Sequence, residues 1–170
     1  MRLIRNSSAD CAILEAISIR TLEQADISAV AALLERLARK SITVEFSATA
    51  EDKFLRANDA AAISSFVENG FKYHVAEADG ELIGFVGVRD NSHLYHLFVA
   101  EAVQRNGVAR SLWKVAKAAC HAAGNKGRFT VNSSNNAIEV YKSFGFVHAA
   151  PVQDSDGVMY NPMLLDERDR

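Results

Sequence analysis

Three strand patterns follow one another between residues 73 and 99, and they constrain the fold more than any other stretch. Tyr73–Ala78 and Leu82–Val88 alternate or run apolar, and Asp79-Gly80 between them is typical of a tight hairpin turn. The third pattern, His93–Val99, follows after Asp90-Asn91-Ser92. The sequence therefore predicts an antiparallel sheet at the centre of the fold.

Helical patterns precede and follow these strands. Ile27, Val30, Leu34 and Leu37 recur at helical spacing and predict a first long helix. A strong pattern later runs from Gly107 to Ala123. The other predicted elements are a first strand near Ile17 and Ile19, helices over Ala50–Arg56, Ala60–Glu68 and Ser134–Phe144, and strands over Phe129–Val131, Phe146–His148 and Val158–Leu165. This order predicts a mixed α/β domain with helices packed against one sheet.

Length and charge exclude several classes of protein. The chain has 170 residues, a net charge of −2 and no apolar run long enough for a membrane span. A nucleic-acid partner is not expected, because binding usually needs a clustered basic face. We expect one domain over residues 17–168, preceded by an N-terminal extension, residues 1–16, to which the sequence assigns no clear structure.

The cysteines and histidines show no metal-ligand spacing. Cys11 and Cys120 lie far apart without a C-x-x-C pattern, so neither a disulfide framework nor a zinc site is expected. Cys120 lies on the apolar stripe of a predicted helix and is interpreted as a packed thiol. These features predict a cytoplasmic protein without a metal.

A strand, a short loop and a long helix between residues 93 and 123 form a candidate anion site. The loop Gln104–Ala109 opens the helix, where unpaired backbone N–H groups and the helix dipole favour negative charge. Gly107 and Ala109 would let a phosphate approach closely, and Arg105 and Arg110 could screen its charge. A tight turn without any ligand would have a similar sequence.

Two motifs resolve this ambiguity by resemblance. Gln104-Arg105-Asn106-Gly107-Val108-Ala109 resembles the Q/R-x-x-G-x-G/A pyrophosphate loop of the GNAT acetyltransferases. Ala137, Tyr141, Gly145 and Phe146 resemble the A-x-x-x-Y-x-x-x-G-F helix and strand of that family. The resemblance spans roughly Ile17 to Leu165. It implies a GNAT fold, which is a mixed, mostly antiparallel sheet flanked by helices on both faces, and acetyl-CoA as co-substrate.

The resemblance also implies roles for particular residues. The Val99 N–H would stabilise the oxyanion, and Tyr141 would protonate the leaving thiolate, since a phenol stays protonated at neutral pH. Ser134 stands where the family often has asparagine, and it could still cap the helix and contact CoA, with Asn132 as a substitute. The residues implied to bind the cofactor are Leu97, Phe98, Val99, Gln104, Arg105, Asn106, Gly107, Val108, Ala109, Arg110, Ser134 and Asn136.

An amine acceptor must lose a proton before it attacks. Strand alternation predicts that His93, Tyr95, Leu97 and Val99 share one face, and the resemblance makes His93 and Tyr95 candidates for a general base or a water-holding residue. An exposed strand-end histidine and deprotonation by water alone are the alternatives. His96 is interpreted as a satisfied core or helix-facing histidine on the opposite face.

The acceptor site has the weakest signal. The resemblance places it at Glu45 and Phe46, where Glu45 could attract a cationic amine or be a solvated loop carboxylate. Gln153–Gly157 could form the other wall or be a plain hairpin turn. The expected reaction is direct transfer of the acetyl group to a small-molecule amine, although peptide and protein amines also remain possible acceptors. The expected oligomeric state is a monomer or a homodimer. One alternative is a non-catalytic acyl-CoA-binding regulatory module of the same fold. The other is an enzyme that binds a nucleotide with the Gly107 loop, although the sequence lacks the usual nucleotide-binding motifs.

Overall fold

The computed structural model describes residues 17–169, so the predicted extension 1–16 lies outside the described residues. The strands are β1 (Ser18–Thr21), β2 (Lys72–Ala78), β3 (Glu81–Arg89), β4 (His93–Val99), β5 (Arg128–Ser133), β6 (Val147–His148), β7 (Gln153–Ser155) and β8 (Val158–Asp166). The helices are α1 (Ile27–Ser41), α2 (Ala48–Arg56), α3 (Ala60–Glu68), α4 (Val108–Ala122) and α5 (Ile138–Ser143).

The strands form one sheet in the order β1-β2-β3-β4-β5-β8-β6, with β7 pairing β8. The pairs formed by β1 to β4 and by β5 to β8 are antiparallel, and β4 and β5 run parallel. The predicted mixed, mostly antiparallel sheet is thus confirmed.

Helices cover both faces of the sheet. One face packs against α1 to α3, around Leu34, Ile63 and Phe85. The other packs against α4 and α5, around Leu112 and Met163. Burying an apolar side chain of this size contributes roughly 1.5–3 kcal/mol, so the periodic stripes of α1 and α4 fix which side of each helix meets the sheet. We call these two faces of the sheet the α1 face and the α4 face.

A β-bulge interrupts β4. In its pairing with β3, Gly87 lies opposite His96 but Val88 lies opposite Leu94, so Tyr95 is an extra residue on β4. The bulge reverses the alternation of side chains at this point. The prediction that His93, Tyr95, Leu97 and Val99 share one face is therefore wrong.

Contacts of the side chains show the corrected arrangement. Leu97 and Val99 pack in the cluster on the α4 face. Tyr95 instead contacts Phe66, with ring centroids 5.2 Å apart, and the His96 ring lies 6.2 Å from the same phenylalanine. Both Tyr95 and His96 thus lie on the α1 face, where the sequence placed only His96.

The parallel pair β4–β5 is short. Its register covers only His93 opposite Thr130 and Leu94 opposite Val131. Pairing stops at the bulge, which is consistent with the bend that an extra residue introduces into a strand. The remaining length of β4 is therefore open on the side of β5.

Two elements differ from the sequence prediction. Residues 134–144 do not form one helix, because a 3₁₀ turn over Asn135–Ala137 precedes α5. The segment Gln153–Gly157 is not only a turn, since β7 pairs with β8 and the turn contains Asp156 and Gly157 at positive φ. Within residues 17–169 no helix is long and apolar enough to cross a membrane.

Candidate functional site

A cavity of about 760 Å³ opens where β4 and β5 separate. Its lining residues come from both faces of the sheet, so it passes between the two strands. We define two halves of this cavity. The α4 half is lined by Gln104, Arg105, 107–110, Tyr141 and Phe144, and the α1 half is lined by Ile42, Phe54, Asn58, Tyr95, His96 and Tyr160.

The backbone of β4 faces this cavity at two residues. In an antiparallel ladder the N–H and C=O groups of successive residues point to opposite sides. Ala100 donates its N–H to the Ile83 carbonyl at 2.8 Å, so Leu97 and Val99 direct their polar groups away from β3 and into the opening. The Val99 carbonyl accepts a hydrogen bond from Gln104 Nε2 at 2.9 Å, which ties the loop to the strand.

The N-terminus of α4 also faces the cavity. Gly107 has φ +80° and precedes the helix, and no described side chain caps it. The first helical hydrogen bond runs from the Ser111 N–H to the Gly107 carbonyl, so the N–H groups of residues 108–110 lack helical partners. A Cβ on Gly107 would meet nothing within 4 Å. Arg105 adopts φ +65°, a region that costs a side-chain-bearing residue about 1–2 kcal/mol.

Tyr141 lies at the α4 half. The residue is buried, and its ring packs edge-on against Phe144 and Phe146, with centroids 6.2 and 5.8 Å away. Burial raises the pKa of its phenol well above the ordinary value near 10. The hydroxyl therefore stays protonated at neutral pH and can act as a hydrogen-bond or proton donor.

The structure brings most of the predicted cofactor residues to the cavity. All of them except Asn106 line it. The backbone of Phe98, however, pairs with Phe85 and so faces β3, and only its side chain is available. Ser134 precedes the 3₁₀ turn without capping it, which corrects the predicted cap. Asn132 lies on the cavity wall.

Besides Gln104, two more predicted cofactor residues already have protein partners. Arg110 donates to the carbonyl and the hydroxyl of Ser143, both at 3.2 Å, and its guanidinium lies over the ring of Phe144. It therefore links α4 to α5. Asn136 Nδ2 donates to the Ser41 carbonyl at 2.5 Å, which joins the turn before α5 to the end of α1.

His93 is not among the residues that line the cavity. Its Nδ1 lies 2.7 Å from Thr130 Oγ1, where β4 and β5 are still paired. Burial and the positive charge of Arg89 lower its pKa, and Asp90 opposes this shift. Tyr95 does line the cavity, and burial raises its pKa, so its phenol stays protonated at neutral pH.

His96 belongs to a buried chain of hydrogen bonds. Its Nε2 lies 2.8 Å from Asn58 Oδ1, and its Nδ1 lies 2.9 Å from the Tyr73 hydroxyl. Asn58 Nδ2 donates to the Phe54 carbonyl, so Oδ1 must accept from His96 and the Tyr73 hydroxyl must donate to Nδ1. The ring is neutral, and burial lowers its pKa to about 3. This matches the core histidine that the sequence indicated.

Of the two predicted acceptor residues, Phe46 does not line the cavity. Glu45 ends a 3₁₀ turn, but the placement of its side chain lies outside what the structure describes. Phe46 packs edge-on against Phe54, which itself reaches the cavity. Sequence reasoning missed Phe54, Asn58 and Tyr160, because each lies on a weakly patterned or late element and no local motif marks them.

A comparison of the sequence with known families identifies the class of domain to which this fold and cavity belong. Residues 28–167 match the family model described as the acetyltransferase (GNAT) domain. The chain therefore belongs to the GNAT acetyltransferase family. Among curated proteins, no match to the sequence was found.

Solved structures share the fold at low sequence identity. A GCN5-related N-acetyltransferase from Rhodopseudomonas palustris is 20% identical, with a TM-score of 0.72 over 86% of this chain and 93% of that one. The PaiA N-acetyltransferase from Thermoplasma acidophilum, in complex with coenzyme A, is 18% identical, with a TM-score of 0.71 over 87% and 97%. YncA from Salmonella typhimurium, with its cofactor acetyl-CoA, is 20% identical, with a TM-score of 0.65 over 88% and 93%.

Proposed function

We propose that residues 17–168 form a domain that transfers the acetyl group of acetyl-CoA directly to the nitrogen of an amine. The observation that carries this proposal is the edge of β4 that β5 leaves unpaired. This edge lies in one cavity with the uncapped N-terminus of α4 and with Tyr141. The complexes of PaiA with coenzyme A and of YncA with acetyl-CoA, which share the fold, support the choice of cofactor.

The α4 half would hold the CoA moiety. The free N–H groups of residues 108–110 would bind the pyrophosphate, where the helix dipole favours an anion. Arg105 would add a positive charge at the same place. The backbone of Leu97 would pair with the amides of the pantetheine arm, as a peptide adds to an open sheet edge.

The chemistry would take place between Val99 and Tyr141. The neutral amine attacks the thioester carbonyl carbon, a C–N bond forms, and the Val99 N–H stabilises the oxyanion. The nitrogen loses a proton to water, and the C–S bond breaks as the oxyanion collapses. Tyr141 gives its proton to the departing thiolate and regains one from solvent. Proximity in one cavity makes an acetyl-enzyme unnecessary.

Water is the proposed acceptor of the amine proton. His93 bonds Thr130 and does not line the cavity, and the nitrogens of His96 are both engaged. The raised pKa keeps the Tyr95 phenol protonated at neutral pH, so it is not available as a base, but its hydroxyl could hold the water. Of the two sequence candidates, Tyr95 therefore keeps only the water-holding role.

The test is release of CoA thiol. Purified protein is incubated with acetyl-CoA and a pool of primary amines, and free thiol is followed against a mixture without amine. We expect amine-dependent release and an N-acetylated product of matching mass. Saturable binding of acetyl-CoA without release for any amine would contradict the enzymatic proposal and indicate a non-catalytic acyl-CoA-binding module.

A further inference from the structure

The described residues of the α1 half carry no formal charge, and this bears on the acceptor if the proposed function holds. Among the described lining residues of the whole cavity, the only formally charged side chains are Arg105 and Arg110, both in the α4 half. The α1 half has aromatic and aliphatic walls that include Ile42, Phe54 and Tyr160. A bound acceptor would therefore contact mostly apolar surface.

The amide and the imidazole of the α1 half are already hydrogen-bonded. Asn58 uses both ends of its amide, on the Phe54 carbonyl and on His96. The second ring nitrogen of His96 accepts from Tyr73. Both nitrogens of the neutral imidazole are engaged, so the ring offers no negative charge and no free acceptor to a cation.

Two described carboxylates on the adjoining elements are also engaged. Glu51 of α2 pairs with Arg39 of α1. Asp156, in the turn between β7 and β8, lies 2.5 Å from Lys53 Nζ of α2. Neither carboxylate lines the cavity. An acceptor with a second ammonium group would find no described carboxylate to pair with it.

The lack of a described carboxylate partner matters because an acceptor loses its hydration when it enters the cavity. Moving an ammonium group out of water without a partner costs several kcal/mol, whereas an apolar body gains free energy from burial. The same environment favours the neutral form of the reacting amine, which is the form that attacks. Among the described residues, the titratable side chains that line this half are those of Tyr95, His96 and Tyr160.

We propose that the acceptor is a monoamine whose single amino group is carried by an apolar or aromatic body, and that polycationic amines are excluded. The body contacts Phe54, Tyr95 and Tyr160, while the nitrogen reaches the thioester near Val99. This proposal rests on the proposed acetyl transfer and names the substrate class of the same site.

Hexylamine and 1,6-diaminohexane form a matched pair that tests this proposal. They share a six-carbon chain and differ by one ammonium group. We expect kcat/KM for hexylamine to exceed that for the diamine by about 30-fold or more, since each 1.4 kcal/mol of unpaired charge is tenfold. We expect 2-phenylethylamine to be at least as good as hexylamine. Equal or faster turnover of the diamine would overturn the proposal.

Two substitutions of Phe54 separate the effect of a charge on the cavity wall from the effect of side-chain shape. Phe54→Asp places a carboxylate on the wall of the α1 half and should move the preference towards the diamine, whereas Phe54→Asn, of similar size, should not. If the two variants show the same preference between the amines, Phe54 does not line the acceptor site and the proposal is contradicted. If the wild type prefers the diamine and Glu45→Gln abolishes that preference, Glu45 supplies the charge and the proposal is wrong.

A binding readout keeps this test independent of catalysis. The same amines are titrated by calorimetry into the protein–CoA complex. Failure of acetyl-CoA to bind would reject the proposed function itself. If the CoA complex forms but hexylamine binds to it no more tightly than the diamine does, only the proposed substrate class would be rejected.

Discussion

The two halves of the cavity differ in the polar groups that they offer to a ligand. The α4 half offers backbone N–H groups at a helix end, arginine side chains and a buried phenol. The α1 half offers aromatic surface and an imidazole–amide chain whose hydrogen bonds are complete within the protein. One half is thus suited to an anionic ligand, and the other to an uncharged one. Under the proposed function, the cofactor would be recognised by fixed dipoles and the acceptor by shape and desolvation.

The largest expected effect compares one tyrosine from each half. Tyr141→Phe should lower kcat about 10²-fold or more, because it removes the proton donor to the thiolate. Tyr95→Phe should change kcat by about tenfold at most, the cost of a hydrogen bond to water. Steady-state kinetics with one amine would measure both, and calorimetry should show similar acetyl-CoA affinity for the two variants. A larger loss for Tyr95→Phe would reverse the assignment of roles.

The next effect concerns acid stability and the buried chain of the α1 half. His96 has a pKa of about 3 when folded, against about 6.5 when unfolded, so the unfolded state binds a proton that the folded state does not. Its contribution to stability is complete above pH 6.5 and is lost progressively as pH falls towards 3. His74 and His93 act in the same direction, since their pKa values are also lowered.

We expect the free energy of unfolding to fall by on the order of a few kcal/mol between pH 7 and pH 4.5. Urea titrations at several pH values would measure this slope. His96→Phe should flatten the slope at the expense of stability at pH 7, since Asn58 and Tyr73 lose their partner. An unchanged slope in this variant would show that His96 does not carry the acid sensitivity.

The smallest expected effect concerns the ion pair between Lys53 and Asp156. Both side chains are exposed, at 66% and 72%, and surface pairs of this kind contribute little. Lys53→Ala should leave the midpoint of thermal unfolding unchanged, and its preference between hexylamine and the diamine should stay that of the wild type. A shift towards the diamine would mean that Asp156, once released from Lys53, reaches the α1 half.

The same contrast explains how far the sequence could predict the site. The α4 half is encoded locally, since residues 104–110 follow a strand and open a helix, and Tyr141 is placed by a short helical motif. The α1 half is assembled from α1, α2, β4 and β8, so Phe54, Asn58 and Tyr160 meet only in the folded chain. The bulge at Tyr95 was also invisible, because an extra residue in a strand leaves no reliable trace in alternation.

The fold itself was more predictable than its details. The bounds of β4 were correct, and those of α4 differ by one residue at each end from the predicted Gly107–Ala123, because both have strong periodic patterns and turn residues at their ends. The 3₁₀ turn before α5 and the strand β7 were missed, since short polar segments carry little periodicity. The strand β7 pairs with the adjacent start of β8, whereas Asn136 of the turn bonds the distant Ser41 carbonyl.

The most direct test of the central claim is a calorimetric titration with acetyl-CoA of the wild type, Gly107→Glu and Gly80→Glu. The two glycines have φ of +80° and +77° and equally open surroundings, but Gly80 lies in the β2–β3 hairpin turn, away from the cavity lining. Backbone strain should therefore be the same in both variants. We predict saturable binding by the wild type and by Gly80→Glu, and its loss in Gly107→Glu. Undiminished binding by Gly107→Glu, or no binding by the folded wild type, would contradict the assignment of this cavity to acetyl-CoA.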